Sequence, residues 1–428
     1  MTDKTTRLWL TSPHFYPTYG GAQNRYRGYI TGLLQRGLDV HVLTGTPQLE
    51  ERGELDSELS WYDASPGSWL TPSTLDEAPL ERIRLPDKKG RARSRIYYEA
   101  MLDMCRREHE GPVVVQLLTN MRPSALPWLK KLKQSGAAIV YSVSQFPKWQ
   151  RKPLKRLFRS QGYERVYNEF DALVTNSEEI KNFLRDMGVK THIEYIPNGV
   201  DLQRFHPARS EAEKQQALAI RARHDIPLEH KVIVSVGAVM PRKRPDTIIE
   251  AWSKLREQYP ETHLLFVGPR ADQYDPKLKD FGRHIASLVE QSGDSSKIHF
   301  AGNVGDVESH LRASDIFSLA SEREGTPNSV LEAMACGLPC LVTPFTGISG
   351  SIGAADQHYQ LVDRNPEAIC AKLASLLHDS DLCGSLQASG LSLATNNFDR
   401  NKTLDEYARL YEKLASIAND RQRRNKPE

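Results

Sequence analysis

Residues 315–343 read DIFSLASEREGTPNSVLEAMACGLPCLVT, and three changes of pattern within them set the fold. DIFSLAS, from Asp315, is a short apolar run that reads as a buried strand. The chain then turns polar: Glu324 enters a loop, and Gly325, Thr326, Pro327 and Asn328 lead into a helix predicted from about Asn328 to Cys336. Gly337 falls where a left-handed C′ residue belongs, and Pro339 prevents continuation. LPCLVT, from Leu338, reads as the next strand. Strand, helix and strand in so short a span form a βαβ unit with parallel strands.

The same rhythm runs outward in both directions. Towards the N-terminus, KVIVSVGAV (from Lys231), HLLFVGP (from His263) and KIHFAG (from Lys297) read as strands of the same domain. Further upstream, LWLTS (from Leu8), DVHVLTG (from Asp39), PVVVQLL (from Pro112), AAIVYSV (from Ala137), DALVTNS (from Asp171) and THIEYIPNG (from Thr191) form a second set. Ala22 to Arg36 reads as a helix with Gly37 as its stop. Between Pro47 and Arg95 the chain is polar and irregular, which reads as an insertion or a long loop. A polar break, DLQRFHPARSEAEKQQ from Asp201, marks a linker near residue 205. The last segment, FDRNKTLDEYARLYEKLASI, places Leu404, Tyr407, Leu410, Tyr411 and Leu414 at helical spacing. The expected organisation is α/β: a Rossmann-like domain over 1–205, a second over 206–393, and a terminal helix over 394–428. Ligands of such sheets bind beyond the carboxyl ends of the strands, so the residues after each strand are the ones to inspect.

Composition excludes several classes. The 428 residues carry 57 basic and 54 acidic side chains, a net charge of +3, which argues against a nucleic-acid binder held by a basic surface. Five cysteines, none in a CxxC spacing, argue against a disulfide framework or a zinc site and point to a reducing cytosol. No run of about 18 apolar residues is present to span a bilayer, and the N-terminus does not read as a signal peptide. The histidines show no metal-ligand spacing, and there is no G-x-S-x-G elbow for a serine hydrolase.

The chemistry concentrates after the strands. Exposed N–H groups at the start of the helix from Asn328 make an anion site suited to a diphosphate. Glu324 stands just before that helix and Glu332 lies within its first turns. One carboxylate can reach a sugar hydroxyl while the other accepts from both hydroxyls of a ribose; as an isolated pair they would be ordinary helix-start acids favoured by the dipole. Arg242, Lys243 and Arg244 follow the strand VIVSVGAV, where a cation can neutralise a phosphate leaving group; elsewhere such a cluster would be a solvated turn. Gly20 and Gly21, in the loop after the first strand, let backbone N–H groups approach a phosphate, or simply make a turn. The dinucleotide fingerprint G-x-G-x-x-G is absent, which disfavours an NAD enzyme. KWQRKPLKRLFRSQ, from Lys148, is basic with Trp149, Leu154, Leu157 and Phe158 interleaved; it reads either as an amphipathic helix packed on its own domain or as a contact with an anionic membrane surface.

EGTPNSVLEAMACGLP is similar to the E-x-x-x-x-x-x-x-E signature of the retaining glycosyltransferases of family four. IPNGVDLQRFHP, VSVGAVMPRKRPDTIIEAW, HLLFVGP and IHFAGNVGDVESHLRASDIFSLAS follow in that family's order, so the likeness covers about 195 to 390; the N-terminal half matches mainly at PTYGGAQNRY. The resemblance implies a GT-B fold, two Rossmann-like domains facing a cleft, with the terminal helix crossing back onto the first. It implies a nucleotide-diphospho-sugar as donor, a UDP-sugar by default because such donors are common, and a glycan or glycolipid acceptor. It implies neither cofactor nor metal, and a cytoplasmic site, with the inner face of the membrane as one setting. Lys243 matches the family's phosphate-binding lysine, Glu324 and Glu332 its two acids, and Gly325, Thr326, Pro327, Asn328, Ser329 and Val330 its donor-binding helix start. Gly20 and Gly21 match its double glycine. Many members carry an arginine directly after the glycine of the strand before Lys243; here that residue is Ala238, and Arg242 or Arg244 is the candidate replacement. Where many members place a histidine after AAIVYSV, this chain has Ser144 and Gln145. These two, with His14 and Asn198, are the candidates for the acceptor side. A sugar-nucleotide epimerase or hydrolase on the same scaffold, and a non-catalytic nucleotide-sugar binder, are the competing readings.

Overall fold

The computed structural model describes residues 5–15, 21–46, 64–70, 72–88, 90–107, 111–119, 121–146, 162–273, 275–345, 348 and 352–425. They divide into two compact units, residues 1–196 with 401–428 and residues 197–400.

Among the described residues the first unit holds eight strands: β1 (Arg7–Ser12), β2 (Asp39–Gly45), β3 (Ser73–Leu75), β4 (Ala78–Ile83), β5 (Val113–Leu117), β6 (Ala138–Val143), β7 (Ala172–Thr175) and β8 (His192–Tyr195). Their order across the sheet is β3-β4-β2-β1-β5-β6-β7-β8. Every pairing is parallel except β3 with β4. Side chains alternate between two cores: Leu8 and Leu10 enter one with Val114, and Trp9 enters the other with Val113 and Val115. A sheet covered on both faces reads as unbroken apolar runs, which is why β1, β2 and β5 to β8 are visible in the sequence.

Two sequence expectations are corrected. The stretch 47–95 is not simply a loop: β3 and β4 lie in it, and the helix Arg91–Arg106 begins in it. The hairpin turns at Asp76 and Glu77, both at positive φ (47° and 75°). In β4 the inward positions Ala78 and Leu80 are followed by Arg82, only 4% exposed, so a charged residue at a core position hides the alternation. The helix expected over Ala22–Arg36 is two, Gly21–Arg27 and Ile30–Leu34. Gly28 is a poor helix residue, and the Tyr29 N–H bonds only three residues back, to Tyr26 O at 3.1 Å.

The long helix Arg400–Asn425 completes this unit. Its Leu404, Tyr407, Leu410, Tyr411 and Leu414 share a core with Tyr26, Ile30 and Val40. A polar chain runs through that core. The Tyr26 hydroxyl meets Tyr407 Oη at 2.9 Å and Ser142 Oγ. Gln116 donates to Ser142 Oγ at 3.2 Å and accepts from the Tyr411 hydroxyl at 3.1 Å.

The second unit holds β9 (Lys231–Val236), β10 (Thr262–Val267), β11 (Ile298–Gly302), β12 (Ile316–Leu319), β13 (Cys340–Val342) and β14 (Gln360–Leu361), in the order β11-β10-β9-β12-β13-β14. All pairings are parallel. Val232, Val234 and Val236 face one core and Ile233 the other. β14, two residues long, leaves no readable period. Where the chain enters and leaves this unit the two segments pair: Val200 N–H donates to Phe398 O at 2.7 Å, and Arg400 N–H donates to Val200 O at 2.9 Å. At the amino-terminal edge of the sheet His230, His263 and His299 stand in a row. Their ring nitrogens lie 3.0 and 2.9 Å apart in succession, and His224 and His310 extend the row at centroid distances of 5.3 and 6.5 Å.

Candidate functional site

At the opposite edge of that sheet, the carboxyl ends of β9, β10 and β11 finish in Gly237, Gly268 and Gly302, all at positive φ. Gly268 admits no side chain, and one at Gly237 would crowd a neighbour. A Cβ on Gly268 would stand 2.3 Å from Gly237 O, and one on Gly237 would meet Lys243 Cε at 3.1 Å. The bare backbone at Gly237 therefore lets Lys243 fold back over the strand end.

Lys243 closes a short 3₁₀ turn, Pro241–Lys243, and Arg244 carries the chain through a left-handed conformation (φ 51°) into the helix Pro245–Leu255. The turn aims Lys243 and Arg242 the same way. Lys243 Nζ lies 2.7 Å from Glu324 Oε1. Arg242 Nη1 lies 3.1 Å from the same oxygen and donates to Arg323 O at 2.7 Å. The Glu322 N–H in turn donates to Arg242 O at 3.0 Å. Burial alone would raise the Glu324 pKa, but the charges of Lys243 and Arg242 outweigh it and hold the carboxyl below its usual range. Arg244 turns away: its guanidinium pairs with Asp246 at 3.0 Å and with Glu322 at 3.6 Å. Of the two arginines considered as replacements for the cation missing at Ala238, Arg242 is the one at Glu324.

Gly325, Thr326 and Pro327 carry the chain from Glu324 into the helix Asn328–Ala335, whose first residues are Asn328, Ser329 and Val330 and which has no side-chain cap. Glu332 lies one turn further along. Burial drives its pKa up to about 7, with Glu308 adding to the rise and Arg204 and Lys243 opposing it. Arg204 is itself fixed, with Nε 2.6 Å from Glu308 Oε2, and its carbonyl accepts from Arg312 at 2.7 Å. Arg204 and Glu308 were not anticipated, because they lie in separate segments and only the fold brings them beside Glu332. Asn198 donates to Thr326 O at 3.2 Å and to Asn328 Oδ1 at 2.6 Å, so its side chain braces the loop at the helix start.

In the first unit, Gly21 opens the helix Gly21–Arg27, and Gly20 lies outside the described residues. His14 follows β1, its N–H donating to Ser12 Oγ at 3.3 Å. Ser144 and Gln145 follow β6, half-buried and exposed respectively. His14 and the pair Ser144 and Gln145 thus follow the carboxyl ends of β1 and β6, strands separated only by β5. The basic stretch from Lys148 to Gln161 lies outside the described residues. Among those described, no helix is long and apolar enough to cross a membrane, and no group of three or more His, Cys, Asp or Glu is arranged to hold a metal ion.

Two doubly wound parallel sheets in succession, with a terminal helix returned to the first, define the GT-B architecture. Solved structures share it: Anabaena HepE in complex with UDP and glucose (TM-score 0.72, 13% identity, 95% of this chain and 99% of that one) and sucrose-phosphate synthase from Thermosynechococcus elongatus (TM-score 0.73, 18% identity, 96% and 99%). The family model for glycosyl transferases group 1 matches residues 217–390, and that for glycosyltransferase family 4 matches residues 19–204. The chain belongs to glycosyltransferase family four. It is 30% identical over 301 residues to a D-inositol 3-phosphate glycosyltransferase of Salinispora arenicola, covering 66% of this chain and 65% of that protein. A Salinispora tropica protein of the same name is 27% identical, with 66% of this chain and 60% of the relative covered, so the match spans less than two thirds of either relative. A GDP-mannose-dependent phosphatidylinositol monomannoside mannosyltransferase of Corynebacterium glutamicum is 29% identical over 358 residues, covering 78% of this chain and 82% of that protein.

Proposed function

We propose that the protein transfers a glycosyl group from a nucleotide-diphospho-sugar to a hydroxyl of a glycan or lipid-linked glycan, with retention of anomeric configuration. The observation that carries this reading is the convergence of Lys243 and Arg242 on Glu324 at the entrance to the helix Asn328–Ala335. In the bound state Glu332 accepts from the ribose hydroxyls, and Lys243, Arg242 and the N–H groups of the helix start hold the diphosphate. Glu324, kept ionised by its two cations, accepts from hydroxyls of the donor sugar. The bond from the anomeric carbon to the diphosphate oxygen breaks, a bond to the acceptor oxygen forms on the same face, and the acceptor proton passes to the departing phosphate. Cationic side chains and helix N–H groups serve the developing charge, and we assign no metal and no cofactor to the step. A UDP-sugar is the first donor to test. The names of the relatives, among them an α-1,3-N-acetylgalactosaminyltransferase acting on a diphospho-undecaprenol-linked sugar, support a lipid-linked or glycan acceptor. We place the reaction in the cytoplasm; contact of the basic stretch from Lys148 with an anionic membrane face is the second reading of that stretch, beside packing on its own domain. Sedimentation with anionic vesicles tests that contact, and no lipid-dependent pelleting removes it.

Release of nucleoside diphosphate from UDP-, GDP- and ADP-sugars, beside Glu324→Ala, tests the reading. Slow release with one donor, abolished in the variant and unaffected by EDTA, is the expected result. Binding of none of these donors would overturn it.

A further inference from the structure

The loop that presents Glu324 leaves the sheet at β12, and the backbone carbonyls beyond Leu319 have no further strand to pair with. Arg364, which joins β14 to the helix Pro366–His378, occupies that place. Its Nε donates to Ala320 O at 2.9 Å and to Thr343 Oγ1 at 3.1 Å. Its Nη2 donates to Ser321 O at 2.9 Å and to Pro344 O. One guanidinium thus ties together the carboxyl ends of β12 and β13, a few residues upstream of Glu324. Arg242 holds the other end of the same segment through Glu322 N–H and Arg323 O. Between the two arginines lies the stretch Ser321–Glu324. Two fixed donors on one side chain, each aimed at a carbonyl, make a more rigid tie than a lysine ammonium can.

We propose that Arg364 is a positioning residue for the donor sugar: it makes no contact with the donor but fixes the strand ends so that the Glu324 carboxylate stands where sugar hydroxyls arrive. The proposal rests on the reading of Glu324 as the sugar-binding carboxylate. It assigns to Arg364 the discrimination between a nucleotide sugar and the bare nucleotide, because Glu324 serves the sugar while Lys243 and Glu332 serve the nucleotide.

Full-length Arg364→Gln and Arg364→Lys test it, with three readouts: hydrogen exchange, ligand affinity and turnover. Hydrogen exchange without ligand is expected to accelerate about ten-fold or more over residues 320–326, while the helix Pro366–His378 stays protected. Calorimetry with UDP, UDP-glucose, GDP and GDP-mannose is expected to show nucleoside diphosphate affinity within about three-fold of wild type, and the kcat for nucleoside diphosphate release from the bound sugar nucleotide is expected to fall about 10- to 100-fold, as displacement of a positioned group does. Arg364→Lys is expected to fall between Gln and wild type. Unchanged exchange over 320–326 overturns the proposal. So does accelerated exchange with unchanged kcat and an unchanged ratio of sugar-nucleotide to nucleotide affinity, since Arg364 would then serve stability alone. If Arg364→Gln does not fold, the Lys variant carries all three readouts. A wild-type protein that binds no ligand of the panel overturns the donor reading itself, an outcome distinct from a bound donor that ignores Arg364.

Discussion

Glu324 sits at the meeting point of two cations, one from a residue the family signature names and one from a residue it does not. Lys243→Ala removes one charge-assisted hydrogen bond; such bonds contribute about 1.5–3 kcal/mol. Nucleoside diphosphate affinity measured by calorimetry should fall roughly ten- to hundred-fold. Arg242→Ala should cost less for the nucleotide and more for turnover, because Arg242 also holds Arg323 O. Glu332 makes a second prediction at this scale. Its folded pKa, about 7, is raised above the 4.5 of an unfolded glutamate. The folded state therefore holds this proton more tightly than the unfolded chain. That contribution to stability is complete below about pH 4.5 and is lost as pH rises through 7. A carboxylate that accepts from ribose hydroxyls binds best when ionised. Donor affinity should therefore increase from pH 6 to pH 8, and Glu332→Gln should flatten that profile.

Single residues also show where reading the sequence stops. Glu324, Glu332 and Lys243 stand at fixed spacings within continuous segments, and their types are legible. Arg204, Glu308 and Arg364 meet the site from three separate segments, and nothing local marks them off from surface charges. Gly268 is visible as a turn residue, but its closeness to Gly237 O depends on the register of β9 against β10.

Among the elements, strands buried on both faces announced themselves by unbroken apolar runs. β4 did not, because Arg82 occupies an inward position, and β14 is too short to show a period. The helix Arg400–Asn425 was legible from its apolar spacing, but the polar partners of its tyrosines were not. Tyr411→Phe leaves Gln116 Oε1 without its donor inside the core, which costs about 1–3 kcal/mol. Chemical denaturation should show that loss, with faster hydrogen exchange in the helix. The row of histidines beneath β9, β10 and β11 gives the pH prediction of this scale. His263 and His299 are held near 4 by burial, with neighbouring imidazoles adding to the fall for His263 and His224 for His299. Folded pKa values below the unfolded value mean that the folded state binds fewer protons. The stability these rings contribute should be full above about pH 6.5 and decline as pH falls towards 4. Thermal melts of the wild type beside His263→Leu separate this effect from the opposite one of Glu332: the wild type should lose stability relative to the variant as pH falls from 7 to 4.5, and a difference constant across that range would refute it.

For the whole molecule, both cores of the second unit are built from residues 200–398, whereas the first unit draws one of its cores partly from Leu404, Tyr407 and Leu414. Residues 197–400 expressed alone should fold cooperatively and bind the nucleoside diphosphate of the full chain within about ten-fold. Residues 1–196 expressed alone should aggregate, because an apolar face of their sheet and helices loses its cover; addition of a peptide spanning 400–425 should restore solubility, and failure of that rescue would place the missing stability elsewhere.

The pairing of Val200 with Phe398 and Arg400 gives the second unit adjacent ends. In topological terms this unit is a cassette spliced into a single break in the other. A cassette with neighbouring ends can be lifted out and its host resealed by a linker of a few residues, or replaced by the corresponding segment of a relative without moving the host's termini. Chimaeras cut at residues 197 and 400 should therefore exchange donor preference as one block and leave acceptor preference behind.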